Sequence, residues 1–263
     1  MDVELINDDV LSALHDRGDK EVDVVFTSPP YNIGIDYGGE VDDTKDPVDY
    51  VEWITEVMSE CEKVLKDEGS IFLNLSGTPT KPLLPFETIL AIVNGTGLKL
   101  QNSIQWVKSA YVPFKEEKGK TVGHFKPINS KRFLNDTHEF VFHLTKTGAV
   151  TLDRLRAGVE YEDSSNTARW QSGHRKRCRG NVWFVPYKTI RSRKGDRPHP
   201  ATYPVELVEI ALNLHGHADV VMDPFNGIGN TALAAKNFGS REYVGIDINP
   251  EFLDVTLDRL GNI

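Results

Sequence analysis

The sequence predicts an α/β protein built around a mostly parallel β-sheet. Short apolar runs alternate with segments whose apolar residues recur every three or four positions, which is the pattern of β-α-β units. The run VDVVF at 22–26 is unbroken and rich in β-branched residues, as expected of a strand covered by helices on both faces. At 263 residues the chain is long enough for one large domain of this class with an insertion.

Strand and helix signals follow one another along most of the chain. The helix that starts at Asp46-Pro47 is the clearest, because an N-cap residue and a first-turn proline precede apolar residues that recur up to Gly69. The predicted strands are 3–7, 22–26, 70–76, 98–109, 138–145, 219–223 and 241–247. The predicted helices are 8–17, 47–69, 85–94, 204–216, 231–239 and a last one that begins at 250.

The alternation stops between about 147 and 198. This segment mixes arginines with aromatic residues and has no sustained helical period. We therefore predict that 1–146 and 199–263 form one sheet domain and that 147–198 is an inserted region.

Charge is distributed unevenly. The net charge is −9, but residues 1–75 carry 20 acidic against 5 basic residues, whereas 165–200 carry 10 basic residues against 1 acid. An acidic body with one concentrated basic segment is typical of a protein that binds phosphates locally, and a solvated basic loop is the alternative.

Several classes of protein are not indicated by the sequence. No apolar run has the length of a membrane span and no signal peptide is recognisable, so we expect a cytoplasmic protein without a membrane partner. The two cysteines and eight histidines have no metal-ligand spacing, and we expect no metal site.

A glycine-containing loop, DPFNGIG at 223–229, lies between a predicted strand and a predicted helix. Twenty residues after Gly227 the next strand ends in Asp247, the spacing of an acid that binds ribose hydroxyls. A nicotinamide-binding loop usually reads GxGxxG, whereas this one lacks the third glycine and begins with Asp223, which would repel a pyrophosphate and attract an ammonium group. The pattern favours S-adenosylmethionine over a dinucleotide, with an ordinary βα turn as the alternative.

The segment FTSPPYN at 26–32 follows the buried strand, at the edge where open α/β sheets bind ligands. Proline fixes φ and has no N–H, so Ser28 Oγ and the Pro29 carbonyl become fixed acceptors that suit an NH2 group, and Tyr31 offers a ring for stacking. Such acceptors would expose the lone pair of an exocyclic amine to direct in-line methyl transfer, once the base has left the duplex. A rigid turn is the alternative.

The two motifs together resemble those of the DNA amino-methyltransferases, which act on cytosine-N4 or adenine-N6. SPPY at 28–31 matches their catalytic motif (D/N/S)PP(Y/F/W), and 223–229 matches their cofactor motif DPFxGxG. Because the catalytic motif comes first and the basic segment lies between, the order resembles the circularly permuted beta group. The resemblance implies a Rossmann-like, S-adenosylmethionine-dependent methyltransferase fold with a seven-stranded sheet and a target-recognition region at 147–198.

The resemblance also implies roles for individual residues. Catalytic roles fall to Ser28, Pro29, Pro30 and Tyr31. Cofactor contacts fall to Asp9, His199, Thr202, Asp223, Phe225, Asn226, Gly227, Gly229 and Asp247. In the recognition region, contacts with DNA phosphates or guanine edges fall to Arg175, Lys176, Arg177 and Arg179.

The sequence leaves the target base open. In this family SPPY tends to accompany cytosine-N4 and DPPY adenine-N6, so TSPPY favours a cytosine-N4 enzyme, with adenine-N6 as the alternative. A nicotinamide-dependent oxidoreductase and a non-catalytic DNA-binding module are the alternatives from other classes. Double-stranded DNA is the expected partner; a cognate restriction endonuclease is allowed, and a monomer and a homodimer both remain open.

Overall fold

An eight-stranded sheet forms the centre of the computed structural model, which describes residues 1–18, 21–37, 43–112, 119–123, 130–161, 175–186 and 202–261. The strands are β1 (Asp2–Ile6), β2 (Val22–Thr27), β3 (Leu65–Leu75), β4 (Lys99–Val107), β5 (Ser109–Val112), β6 (Lys120–Gly123), β7 (His138–Thr145), β8 (Val159–Glu160), β9 (Lys176–Arg177), β10 (Val182–Phe184), β11 (Val220–Asp223) and β12 (Glu242–Ile246). The helices are α1 (Val10–His15), α2 (Pro47–Val64), α3 (Leu84–Gly95), α4 (Val205–His215), α5 (Asn230–Phe238) and α6 (Pro250–Gly261).

The predicted α/β class with a mostly parallel sheet is confirmed. The strand order is β1-β12-β11-β2-β3-β7-β4-β10, and β7 runs antiparallel to both of its neighbours while the other pairs are parallel. The sheet has eight strands rather than the predicted seven, because β10 pairs with β4. Trp183 of β10 is buried, and the Trp106 indole N–H donates to the Val185 carbonyl at 2.8 Å. These contacts hold β10 to the sheet.

Two predicted boundaries are wrong. Helix α2 ends at Val64 and not near Gly69, because the chain from Leu65 onward pairs with β2. The single strand predicted at 98–109 is divided at Lys108, after which β5 forms a hairpin with β6. In both places the apolar pattern of the sequence continues across the boundary. The boundary itself is set by pairing with a strand that is distant in sequence or follows a turn.

The core lies on both faces of the sheet, as the apolar runs predict. Val24 packs into the cluster beneath α4 and α5, whereas Val25 packs into the cluster beneath α1, α2 and α3. Successive residues of a strand face opposite sides, so a strand covered on both sides needs apolar residues throughout.

The inserted region is described only in part. Strands β8 and β9 form a small antiparallel pair, with Val159 opposite Arg177. The last described strand of the region, β10, belongs to the main sheet. The boundaries 147 and 198 stay a prediction, since 162–174 and 187–201 lie outside the described residues.

The sheet brings the two sequence motifs together. Strands β2 and β11 are neighbours, and the chain continues from β2 towards β3 on one side and from β11 towards β12 on the other. The loops after β2 and β11 therefore leave the same edge at a topological switch point, where open α/β sheets bind ligands. In the described part of the chain no helix is both long and apolar enough to cross a membrane.

Candidate active site

A single cavity contains most of the residues predicted from the two motifs. It lies between the loop after β2 and the loop after β11, and the start of α1 borders it. Its lining includes the predicted residues Asp9, Ser28, Pro29, Pro30, Tyr31, Thr202, Phe225, Asn226, Gly227 and Asp247. Asp223 and Gly229 do not line the cavity, and His199 lies outside the described residues. The two motifs thus form one site although almost two hundred residues separate them.

A buried carboxylate holds the chain that follows SPPY. Asn32 has a positive φ of 58°, a conformation that asparagine adopts more readily than most residues. The Asp43 carboxylate accepts hydrogen bonds from the backbone N–H groups of Asn32 (2.7 Å), Ile33 (3.2 Å) and Ile35 (2.8 Å). The proline pair and this carboxylate together fix the course of the loop.

Polar side chains from β3, β7 and the junction of β4 and β5 meet behind the catalytic motif. The Tyr31 hydroxyl lies 2.8 Å from Ser28 Oγ and donates to Glu139 Oε2 at 2.9 Å. Asn74 Nδ2 donates to both the Tyr31 hydroxyl and Glu139 Oε2, at 2.7 Å each. Lys108 Nζ pairs with Glu139 Oε1 at 2.9 Å. Burial and then the Glu139 charge raise the pKa of Tyr31, so its hydroxyl stays protonated.

Asp223 supports the glycine loop from beneath. Its carboxylate accepts hydrogen bonds from the hydroxyls of Thr27 (2.8 Å), Tyr203 (2.6 Å) and Thr231 (2.8 Å), and from the Phe225 N–H (3.0 Å). The residue is fully buried, and burial raises its pKa. Four protein donors occupy the two carboxylate oxygens, so the predicted contact with a cofactor ammonium stays a prediction.

The glycines give this loop its conformation. Gly227 and Gly229 have φ values of 51° and 74°, which favour glycine. A Cβ on Gly229 would lie 2.4 Å from Thr256 Cγ2. The Asn226 side chain points inward, where Nδ2 donates to Thr256 Oγ1 at 2.9 Å and Oδ1 accepts from the Tyr243 hydroxyl at 2.7 Å. Asn226 and Gly229 therefore hold α6 against the loop.

Two carboxylates border the cavity at its other end. Asp247 follows β12 and accepts from the backbone N–H groups of Gly227 (2.7 Å) and Asn249 (2.9 Å). Burial raises its pKa to about 6. Asp9 is the N-cap of α1, where Oδ1 accepts from the N–H groups of Leu11 and Ser12. These bonds fix both carboxylates, and both residues line the cavity.

Several buried polar atoms at the cavity lack partners among the described residues. The Tyr50 hydroxyl and Asn230 Oδ1 belong to residues that line the cavity, and both atoms are buried without a hydrogen bond. Asn230 Nδ2 is held by the Tyr203 carbonyl, which leaves Oδ1 as an acceptor. Buried polar atoms without partners are uncommon in proteins, and here they indicate a place for a polar ligand.

Comparison with known proteins identifies the family. A family model described as DNA methylase matches residues 22–258. The chain belongs to this DNA methylase family. The type II methyltransferase M.BglII of Bacillus subtilis is 30% identical over 98% of this chain and 68% of its own length. The DNA adenine methyltransferase YhdJ of Escherichia coli is 28% identical over 97% of this chain and 82% of its own.

Solved structures agree with the fold of this DNA methylase. The cytosine-N4-specific PvuII DNA methyltransferase has a TM-score of 0.72 at 19% identity, covering 98% of this chain and 86% of its own. A complex of M1.HpyAVI with S-adenosylmethionine has a TM-score of 0.59 at 19% identity, covering 98% and 99%. The predicted Rossmann-like methyltransferase fold is therefore confirmed, and the nicotinamide-dependent oxidoreductase is not supported.

The four basic residues predicted to contact DNA differ in how far they are exposed in this DNA methylase. Arg175, Lys176 and Arg177 are exposed on and beside β9. Arg179 is partly buried, and its Nε donates to the Ala157 carbonyl at 3.1 Å. Their contacts with DNA stay a prediction, and the structure separates three exposed side chains from one that is anchored to the protein.

The polar residues that hold the SPPY loop in place were not predicted from the sequence. Asn74 and Glu139 line the cavity, and Asp43 shapes the loop, but none was predicted. Asn74 interrupts the apolar strand SIFLNLS, and Glu139 is the second residue of the strand HEFVFHLT. A polar residue inside an otherwise buried strand is the signal that would have identified Asn74, since such a residue needs a partner.

Proposed function

We propose that this DNA methylase transfers a methyl group from S-adenosylmethionine to the exocyclic N4 amine of a cytosine that has left the duplex. The observation that carries the proposal is the single cavity formed by the SPPY loop and the glycine loop. The loop that would bind the target amine and the loop that would bind the cofactor line the same cavity. Direct transfer between two bound molecules requires this arrangement.

The residues at the glycine-loop end fit the cofactor. Asp247 supplies a fixed carboxylate for ribose hydroxyls, Phe225 and Phe252 supply apolar surface, and Asn230 Oδ1 supplies an acceptor without a protein partner. Asp9 would face the adenine end. When bound, S-adenosylmethionine supplies an electrophilic methyl group on a sulfonium.

The chain's own part in the reaction is to hold the amine. Ser28 and Pro29 line the cavity, and Ser28 Oγ and the Pro29 carbonyl would accept from the two hydrogens of an NH2 group. Tyr31 contributes its ring to the same cavity, where a planar base would stack. Fixed acceptors cost no reorganisation when charge develops on the amine. The exposed residues Arg175, Lys176 and Arg177 would bind the DNA backbone.

Cytosine is favoured over adenine by two observations. The acceptor is a neutral serine in TSPPY, and the cytosine-N4-specific PvuII enzyme has a similar fold over almost the whole chain. Adenine-N6 is the second candidate, because YhdJ, an adenine methyltransferase, is 28% identical over 97% of the chain.

Incubation of the protein with labelled S-adenosylmethionine and mixed duplex DNA, followed by nucleoside analysis, tests the proposal. We expect label in N4-methylcytosine, and sequencing of the methylated DNA then gives the recognised sequence. Label only in N6-methyladenine would overturn the cytosine assignment. Ser28→Ala should abolish transfer while cofactor binding, measured by calorimetry, is retained. Methylation by Ser28→Ala at the wild-type rate would overturn the assignment of the site, and DNA binding without any transfer by the wild type would favour a non-catalytic module.

A further inference from the structure

The network behind SPPY connects Ser28, through the Tyr31 hydroxyl, to an ion pair between Glu139 and Lys108. Glu139 lies on β7, Asn74 on β3, and Lys108 at the junction of β4 and β5. The side chains of Glu139 and Lys108 are only 12% and 19% exposed. Because the pair is largely shielded from water, the charge of Glu139 acts strongly on the hydroxyl nearest to it.

The positions of the acceptors determine the direction of each hydrogen bond. A carboxylate paired with an ammonium group accepts only, so the Tyr31 hydroxyl hydrogen is committed to Glu139 Oε2. Asn74 Nδ2 donates to the same two groups and, at 3.4 Å, to Ser28 Oγ, while Asn74 Oδ1 accepts no hydrogen bond from either hydroxyl. Within the Ser28–Tyr31 contact of 2.8 Å, the donor is therefore Ser28. The serine hydrogen points towards Tyr31, Ser28 Oγ accepts one long contact from Asn74 Nδ2, and one lone pair of that oxygen remains for a ligand.

We infer that Glu139 is a positioning residue that makes Ser28 an acceptor-only group towards the cavity, and that this selects an amino group over a carbonyl group on the target base. The inference rests on the proposed function. The exocyclic NH2 of cytosine or adenine donates to Ser28, whereas the O4 of uracil or thymine and the O6 of guanine present lone pairs to it. A site built to accept a hydrogen bond rejects a group that cannot donate one.

The hydrogen bonds from Ser28 to Tyr31 and from Tyr31 to Glu139 also make Ser28 Oγ a stronger acceptor. A hydroxyl that donates to another hydroxyl, which in turn donates to a carboxylate, becomes a better acceptor by polarisation. Removing the carboxylate frees the Tyr31 hydrogen, and the Ser28 hydrogen is then able to rotate into the cavity. The expected consequence is a slower reaction and a weaker rejection of carbonyl bases.

The test compares duplexes that carry either cytosine or uracil at the target position of the recognised sequence. Affinity for each duplex is measured in the presence of a cofactor product analogue, together with kcat and KM on the cytosine duplex. In Glu139→Met and in Tyr31→Phe we expect the preference for cytosine over uracil to fall about tenfold. We expect kcat to fall at least about tenfold while KM for the cofactor changes by less than about twofold.

Two further variants distinguish a role of Glu139 in positioning the Ser28 hydroxyl from a role in protein stability alone. Glu139→Gln keeps one acceptor oxygen, so it should retain more of the preference than Glu139→Met. Asp23→Asn removes the carboxylate of another pair, with Lys66 at 2.7 Å, at the opposite end of β2. It should lower thermal stability and leave the preference unchanged.

An unchanged preference in both Glu139→Met and Tyr31→Phe would overturn the inference and leave Glu139 a structural residue. If Glu139→Met does not fold, Tyr31→Phe decides alone. If the enzyme methylates adenine, the same comparison uses adenine and hypoxanthine, which differ in the same way at position 6. A failure of the cytosine assignment is therefore distinguishable from a failure of this inference.

Discussion

The two loops that form the cavity leave neighbouring strands at the same edge, yet they are built in opposite ways. The loop after β2 takes its shape from Pro29 and Pro30, and Ser28 and Tyr31 are among the residues that it places in the cavity. The loop after β11 takes its shape from Gly227 and Gly229, at positive φ, and Phe225 and Asn226 are among the residues that it places in the cavity. Prolines restrict the backbone of the first loop, whereas glycines allow the second loop a backbone conformation that other residues rarely adopt.

A buried carboxylate accepts hydrogen bonds from each loop, and the two carboxylates differ in how far their donors are exposed to water. Asp43 accepts from three backbone N–H groups of the first loop, and Asp223 accepts from three hydroxyls and one N–H around the second. Ile33, one of the donors to Asp43, is exposed, whereas Thr27 and Thr231, which donate to Asp223, are fully buried. Water is able to replace Asp43 in part, but it cannot reach the donors around Asp223.

The largest effect that this comparison predicts is on stability. Asp223→Ala leaves several buried donors without an acceptor and should lower the free energy of unfolding by about 3 kcal/mol. Asp43→Ala is the matched control and should cost about 1 kcal/mol, because the Ile33 N–H belongs to an exposed residue and water replaces the carboxylate there. Chemical denaturation of the three proteins measures both values. Equal losses would mean that burial does not distinguish the two loops.

A second prediction concerns the glycine loop alone. Gly229→Ala adds a Cβ at 2.4 Å from Thr256 Cγ2 at a φ of 74°, and should cost about 2 kcal/mol and weaken cofactor binding. Gly239→Ala is the control, because φ there is 90° and nothing lies within 4 Å of the added Cβ. It should cost about 1 kcal/mol and leave cofactor affinity unchanged. Identical behaviour of the two variants would show that close packing against α6 is unimportant.

A third prediction uses the raised pKa of Asp247. The pKa is about 6 in the folded protein and about 4 in the unfolded chain, so folding favours the protonated form. The contribution of this group to stability therefore falls as pH rises from about 4 through about 6. Binding of ribose hydroxyls needs the carboxylate, so cofactor affinity should drop by up to about tenfold per pH unit below about 6.

Calorimetric titration with S-adenosylmethionine between about pH 5 and pH 8 measures this dependence. Asp247→Asn should bind more weakly at neutral pH and show a flatter profile below about pH 6, because it has no charge to lose. A profile of unchanged steepness in this variant would assign the titration to another group.

The comparison also explains what the sequence could and could not predict. SPPY and DPFNGIG are local patterns, and the parallel strands before them place both at one edge of the sheet, so the cavity and the contribution of the two motifs to its lining were predictable. The roles of Asn74 and Glu139 depend on β7 inserting antiparallel beside β3, which no local pattern reports. Whether Asp223 faces a ligand or the protein depends on Tyr203 and Thr231, and these contacts form only on folding.

The smallest predicted effect concerns the arginines on and beside β9, which differ in whether the protein itself holds the guanidinium. Arg175 and Arg177 are exposed, whereas Arg179 is held by the Ala157 carbonyl. Each phosphate contact adds about 0.9 to the slope of log affinity against log salt, so the double variant Arg175→Gln/Arg177→Gln should lower the slope by up to about 2. Arg179→Gln should change stability more than it changes the slope, because its guanidinium serves the protein. Fluorescence anisotropy over a salt series measures the slopes, and a larger loss of slope in Arg179→Gln would reverse the assignment.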